Sequence, residues 1–351
     1  MRSDPVRSRL SRAAVGPRHG PGGTSRAWKI HGGRVVVRGM RAIGVTEFGG
    51  PEKLRAVDVA QPKPEQDEVR IRVHAAAVNP TDTVLRAGGH RTEGLEPPYI
   101  PGMDAAGVIS AVGTEVSTWQ PGDRVMAVVV PVDERGGAYA DEIVVPEDSV
   151  AAIPEGVDFA AAATLPMNGL TAHLALEQLA LAEGETLAVT GAAGAFGGYV
   201  VQLAKDRGLY VIADAATADE QLVRDLGADA VVRRGADVAE RIRELVPEGV
   251  AGVADGAVLD GEVAPAIRDG GGLAVVRGWN GDPGRDIRVH RVLVVHAARD
   301  HVALDRLRAK VESGVLSLRV ASVLPAERAD EAHRELEGGG VRGRLVLDFE
   351  S

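Results

Sequence analysis

The chain has 351 residues, no cysteine and a formal net charge of −10 at pH 7, with 45% hydrophobic and 26% charged residues. That length suggests two domains with sizeable cores, and the lack of cysteine excludes disulfides, thiolate metal ligands and thiol nucleophiles together. No apolar run is long enough to span a bilayer, so the expectation is a folded enzyme of the reducing, cytoplasmic compartment with no membrane partner.

The charge is unevenly spread. Residues 1–39 carry nine basic residues against Asp4 alone, a charge of +8 that leaves −18 on the remainder. Rich in Gly, Pro and Ser and without an apolar period, this stretch reads as a disordered basic extension. An Arg-rich, acid-poor segment also fits a transit peptide or a nucleic-acid arm; the strand pattern that opens at Met40 favours a plain upstream extension. The acidic body would repel a phosphate backbone, so no nucleic-acid partner is expected.

Short β-rich signals follow at residues 40–45, 68–73, 105–109, 124–129 and 142–145, separated by Gly and Pro turns. Closely spaced short strands suggest a small barrel or sandwich. Residues 159–179 read helical. Strands at 186–190, 210–213, 230–232, 252–254 and 273–276 then alternate with helices at 195–207, 219–226, 238–245 and 263–268. This alternation predicts a doubly wound parallel sheet, an α/β fold. Beyond residue 288 the pattern predicts a strand, a helix at 302–312, a strand at 316–323, a helix at 327–336 and a strand at 345–349.

The stretch Leu187-Ala-Val-Thr-Gly191-Ala-Ala-Gly194-Ala-Phe-Gly197-Gly198 runs from an apolar strand through glycines spaced three apart into a helix. A pyrophosphate approaching backbone N–H groups needs such a bare turn, and the helix N-terminus adds partial positive charge. The next strand carries Asp214, twenty-three residues after Gly191, so the turn predicts a dinucleotide site. Asp214 either accepts from the adenosine ribose, which favours NAD(H) over NADP(H), or simply starts a turn. Arg224, Arg233 and Arg234 are the basic residues near enough to compensate a 2′-phosphate.

With these motifs in order, the chain resembles the zinc-free quinone oxidoreductase branch of the medium-chain dehydrogenase/reductase superfamily. The resemblance is carried by Phe48-Gly-Gly-Pro-Glu52, Ala77-Val-Asn79-Pro-Thr-Asp82, Pro101-Gly-Met-Asp104-Ala-Ala-Gly107, Gly122-Asp-Arg-Val125, Gly137-Ala-Tyr139-Ala140, Pro166-Met-Asn-Gly-Leu-Thr171-Ala172, the glycine turn, Leu226-Gly-Ala228 and Arg342-Gly-Arg344-Leu-Val-Leu347. It implies a GroES-like β-barrel catalytic domain at 40–158 and 288–351 around a Rossmann domain at 159–287, in a homodimer. Asn79 stands where zinc-dependent members have a cysteine, and Met103-Asp104 where they have His-Glu, so no zinc is expected.

The resemblance further implies that Asn79 lies by the nicotinamide and donates to developing oxyanion charge. It puts Thr171 on the carboxamide, Gly191, Ala193, Gly194, Ala195 and Gly197 in the pyrophosphate turn, and Gly256 and Gly278 at the cofactor edge. Arg344 is read as a cofactor contact or a solvated charge, and Trp279 as shaping the acceptor pocket or capping a sheet edge. Tyr139 is the candidate proton donor of that pocket, although it also reads as a packing residue. Asp82 is read as a structural partner of Arg86. The implied activity is NAD(P)H-dependent hydride transfer to a quinone, the NADH or NADPH preference being open. An enone or enoyl reductase of the same chemistry and a low-turnover dinucleotide-binding regulatory protein are the alternatives.

Overall fold

Residues 39–351 are described by a computed structural model; apart from Gly39, the expected disordered extension lies outside the described residues. Where polar and apolar residues alternate, the chain forms strands. The first half contains β1 (Gly39–Gly44), β2 (Arg55–Ala60), β3 (Glu68–Ala77), α1 (Pro80–Arg86), β4 (Asp104–Val112), β5 (Arg124–Val128), β6 (Glu142–Pro146) and β7 (Val150–Ala152). In β3, Val69, Ile71 and Val73 are buried while Arg72 between them is exposed, the period of two that a sheet with one covered face requires.

The second half contains α2 (Phe159–Ala162), α3 (Pro166–Leu179), β8 (Thr186–Thr190), α4 (Ala195–Asp206), β9 (Tyr210–Ala215), α5 (Glu220–Asp225), β10 (Ala230–Arg233), α6 (Val238–Leu245), β11 (Val250–Asp255), β12 (Ile267–Val275), β13 (Arg288–Arg291), α7 (His301–Glu312), β14 (Val320–Pro325), α8 (Ala329–Gly338) and β15 (Arg344–Asp348). Strands β10-β9-β8-β11-β12-β13 form one six-stranded sheet, every pair parallel. Its order reverses between β8 and β11, which places a crevice at the carboxyl ends of those two strands. The other large sheet runs β14-β15-β3-β4-β5-β7, with β6 also on β3. Among the described residues no helix is long and apolar enough to cross a membrane.

Four expectations shift. The helical reading of 159–179 splits at Thr164 and Leu165, because Pro166 has no N–H to continue α2 and instead opens α3 at its first position. The helix expected at 263–268 is a 3-10 turn over Asp260–Ala266 containing Pro265, and Ile267 already begins β12 by pairing with Val250. The strand expected at 316–323 starts only at Val320, because Gln202 Oε1 on α4 accepts from both the N–H and the hydroxyl of Ser317. Lastly, β13 joins the parallel sheet by pairing with β12, and α7 packs on α3. The chain therefore returns to the first sheet between Glu312 and Val320, later than the boundary at residue 288.

Candidate dinucleotide site and junction network

The turn after β8 needs its glycines for separate reasons. Gly191 has φ 65°, and a Cβ there would come 2.8 Å from the carbonyl carbon of Gly256 at the end of β11. The Gly194 N–H donates to Gly191 O at 2.9 Å and closes the turn, with Gly194 as the N-cap of α4. At Gly197 a Cβ would lie 2.4 Å from Gly191 O, so the helix rests directly on the turn. Ala195 follows as the first residue of α4, whose opening N–H groups have no intrahelical acceptor.

A cavity of about 410 Å³ opens in front of this turn, lined by Gly191, Ala193, Gly194, Asp214, Gly256, Arg234 and Arg342 among others. Asp214 lies inside β9, buried, where one carboxylate oxygen accepts the Ala192 N–H at 3.2 Å. It starts no turn; it braces the glycine turn from the next strand, and burial raises its pKa above the usual carboxylate value. Arg342, from the loop before β15, forms a two-pronged ion pair with Asp219, both bonds 2.6 Å. Burial raises the Tyr199 phenol on α4, whose hydroxyl lies 3.2 Å from that of Thr164.

A second constellation lies where the two sheets meet. Asn79 is the N-cap of α1 and has no exposed surface. Its Nδ2 donates to Asp104 Oδ2 at 2.8 Å and to Ala77 O at 3.3 Å, while its Oδ1 accepts from Arg344 Nη2 at 2.7 Å and from Asn168 Nδ2 at 3.2 Å. Asp104, equally buried at the start of β4, also accepts from Arg344 Nη2 at 3.0 Å and from the Met167 N–H in the first turn of α3 at 2.7 Å. Arg344 completes its bonds on the carbonyls of Thr164 and Val78. Asp104 as acceptor and Arg344 as donor fix which way the Asn79 amide points. The amide expected to face a substrate oxygen is here turned wholly inward, and Arg344 is neither solvated nor in the cavity.

The remaining expected residues fall elsewhere. The Thr171 hydroxyl donates to Met167 O one turn back along α3, at 2.6 Å. Tyr139 is fully buried in the barrel core, its hydroxyl donating to Asp82 Oδ2 at 3.1 Å and lying 3.3 Å from His333 Nε2; it lines no substrate pocket. Asp82 also accepts the N–H groups of Asn79 and Gly102, and burial pushes it up to about 7. Arg86, its expected partner, pairs with Glu337 instead. Gly278 is exposed in the turn after β12, and the Trp279 ring packs over Gly261 and Gly281 beside the outer core of the parallel sheet.

Sequence reasoning missed Asp104 and Asn168 as partners of Asn79, and Asp219 as partner of Arg342. Only Asp104 left a signal, a lone acid in the apolar run Asp-Ala-Ala-Gly-Val-Ile, which must find a partner when buried.

The glycine turn fits a dinucleotide, since the backbone is bare where a pyrophosphate must approach. The junction does not fit zinc. The side chains there are two amides, a carboxylate and a guanidinium 3.0 Å from that carboxylate, with no imidazole or thiolate, and a second cation would meet the charge of Arg344.

Parallel sheet, crevice and glycine turn together define the class, a two-domain protein with a fold and turn that fit a dinucleotide. Residues 65–155 match the alcohol dehydrogenase GroES-like domain and residues 211–347 the zinc-binding dehydrogenase domain. The chain is 32% identical to a quinone oxidoreductase of Sus scrofa, over 88% of this chain and 97% of that protein. It is 31% identical to a chloroplastic NADPH-dependent alkenal/one oxidoreductase of Arabidopsis thaliana, over 89% and 80%. The solved structure of mycobacterial Rv1454c complexed with NADPH superposes with a TM-score of 0.79 at 31% identity, covering 88% of this chain and 99% of that one. The chain belongs to the medium-chain dehydrogenase/reductase superfamily, in its quinone oxidoreductase branch, and is an NAD(P)H-dependent oxidoreductase.

Proposed function

We propose that the chain passes hydride from NAD(P)H to a quinone without zinc. The observation that supports this is the closed Asn79–Asp104–Arg344 network, whose amide and carboxylate are already engaged by an internal guanidinium. Without a Lewis acid to polarise an alcohol or a simple carbonyl, the favoured acceptor is one that is already electron-poor. The dinucleotide supplies the hydride when bound. The protein's part is to hold the pyrophosphate at the glycine turn, to fix the first turn of α3 through Asp104 and Met167, and to keep water from the junction.

The enone-reductase reading draws support from the alkenal/one oxidoreductase relative. It calls for a proton at the α carbon, and Tyr139, the side chain expected to give it, is sealed behind Asp82; a quinone that has taken a hydride needs one proton, at oxygen, and can take it from bulk water on leaving. The cavity brings together Asp214 and Asp219 against Arg234 and Arg342, a balanced set, so we propose weak discrimination, with NADPH and NADH within about tenfold of each other, or ~1.4 kcal/mol. The reading extends to the cytoplasm, and to a homodimer supported by the outer edge of β13, which pairs with no further strand among the described residues, and by exposed Leu293 and Val295 just beyond it.

The test is NADH and NADPH oxidation against a panel of quinones and enones. Turnover with quinones supports the proposal, and turnover with enones alone favours the second reading. Binding of both cofactors without turnover would leave a dinucleotide-binding regulatory protein.

A further inference from the structure

Three arginines of the returning segment converge on the junction, and the structure gives them different partners. Arg344 is buried on Asp104, and Arg342 is paired with Asp219. Arg319, half-buried, has no acid within ion-pair distance among the described residues. Its Nη1 and Nη2 donate to the carbonyl oxygens of Ala193 at 3.1 Å and Gly194 at 2.7 Å, the last two residues of the glycine turn. Two carbonyl dipoles are no counter-charge, and the nearby Arg342 adds repulsion.

The fold holds this guanidinium in place from several sides. Ser317 is fastened to Gln202 of α4 through both its N–H and its hydroxyl, and the Arg319 carbonyl accepts the Arg344 N–H at 2.8 Å. Room for the side chain comes from the second of the paired glycines: a Cβ on Gly198 would lie 2.5 Å from Arg319 Nη2. Gly197 thus serves the turn and Gly198 serves the arginine.

A guanidinium beside the N-terminus of a helix places two positive poles together, an arrangement that is unfavourable until an anion joins them. We infer that Arg319 is the guanidinium that pairs with the pyrophosphate of the dinucleotide, and that it thereby ties bound cofactor to the segment returning to the barrel sheet. This rests on the dinucleotide reading above. Arg344, the arginine expected from sequence to meet the cofactor, instead supports Arg319 from behind through the backbone.

The experiment is calorimetric titration of the full-length protein with NADPH, ADP-ribose and adenosine 2′-monophosphate, the last lacking the pyrophosphate. In Arg319→Met, affinity for NADPH and ADP-ribose should fall about 10- to 100-fold, the range of a charge-assisted hydrogen bond. Affinity for adenosine 2′-monophosphate should stay within about twofold, well under that range. The Tm of the free variant should not fall, while the rise caused by ADP-ribose should shrink; a purely structural arginine gives the reverse. Wild-type affinity for ADP-ribose in the variant would overturn the inference. Hydrogen exchange on the wild type tests it without any variant: ADP-ribose, and not adenosine 2′-monophosphate, should slow exchange in residues 316–320, and equal exchange with both would overturn it. If the wild type bound neither NADPH, NADH nor ADP-ribose, the dinucleotide reading itself would fall and take this inference with it.

Discussion

The ion pair between Arg344 and Asp104 is 96% or more removed from solvent on both sides, so breaking it should cost far more than breaking a surface pair. Asp104→Asn leaves the guanidinium of Arg344 buried without a counter-charge, and Arg344→Met does the same to the carboxylate. Removing one partner of such a pair costs about 3–5 kcal/mol, against about 0–1 for an exposed pair. With a melting entropy of about 2.1 cal/mol/K per residue, a body of this size loses about 5–8 °C in Tm for that cost. The double variant removes both charges, and the Asn79 amide can then turn over to match the new amide. Its loss should fall clearly short of the sum of the singles, a coupling of about 2 kcal/mol or more. Differential scanning calorimetry of all four proteins at pH 7 reads this directly. Singles that each cost less than about 1 kcal/mol, or a double equal to their sum, would refute the buried-pair reasoning.

Asp214 combines a charge with an acceptor for the Ala192 N–H, and two variants separate them. Asp214→Asn keeps an acceptor and should raise the NADPH-to-NADH ratio of kcat/KM; Asp214→Ala loosens the turn and should weaken both cofactors alike, and an unchanged ratio in the Asn variant would remove Asp214 as selector. His333, fully buried with Nδ1 unpartnered, is lowered to about 3 by burial and then by Arg86. Its folded pKa is depressed below the ordinary 6.5, so the stability tied to neutral His333 is present above that value and lost as pH falls toward 3. His333→Phe should therefore gain in Tm relative to wild type through that window, and a difference independent of pH would sink the assignment. If β13 is a dimer edge, Leu293→Glu with Val295→Glu should yield monomers in sedimentation equilibrium with the Tm of the isolated fold little changed; an unaltered mass would place the interface elsewhere.

The glycine turn was legible from sequence because its requirements are local. A φ of 65° at Gly191 and the contact of Gly197 with Gly191 O are demands on single residues, met by the one residue type without a Cβ. The alternation of strands and helices from Thr186 to Val275 was legible for the same reason, since period and turn chemistry lie within a few residues. The misreadings occurred where a distant group decided the outcome. Nothing near Ser317 announces that Gln202, 115 positions away, will take its N–H and delay β14. At 263–268 the apolar period was present, but Pro265 and the pairing of Ile267 with Val250 outweighed it.

The same distinction separates what was legible at the site. The resemblance put Asn79 by the nicotinamide and read Arg344 as a cofactor contact or a solvated charge, but it could not say which way either points, because that depends on Asp104, which lies 25 positions from the first and 240 from the second. Once Asp104 is buried with no exposed surface, it demands a cation, and Arg344 is the one the fold delivers. Meeting that demand withdraws Arg344 from the cavity, while the neighbouring Arg319, on the same hydrogen-bonded pair of backbones, has no acid within ion-pair distance among the described residues. The assignment of Arg319 to the pyrophosphate is thus a consequence of Asp104: in Asp104→Asn, Arg344 stays buried on Asn79, Val78 and Thr164, and the loss of ADP-ribose affinity caused by Arg319→Met, read by calorimetric titration, should persist.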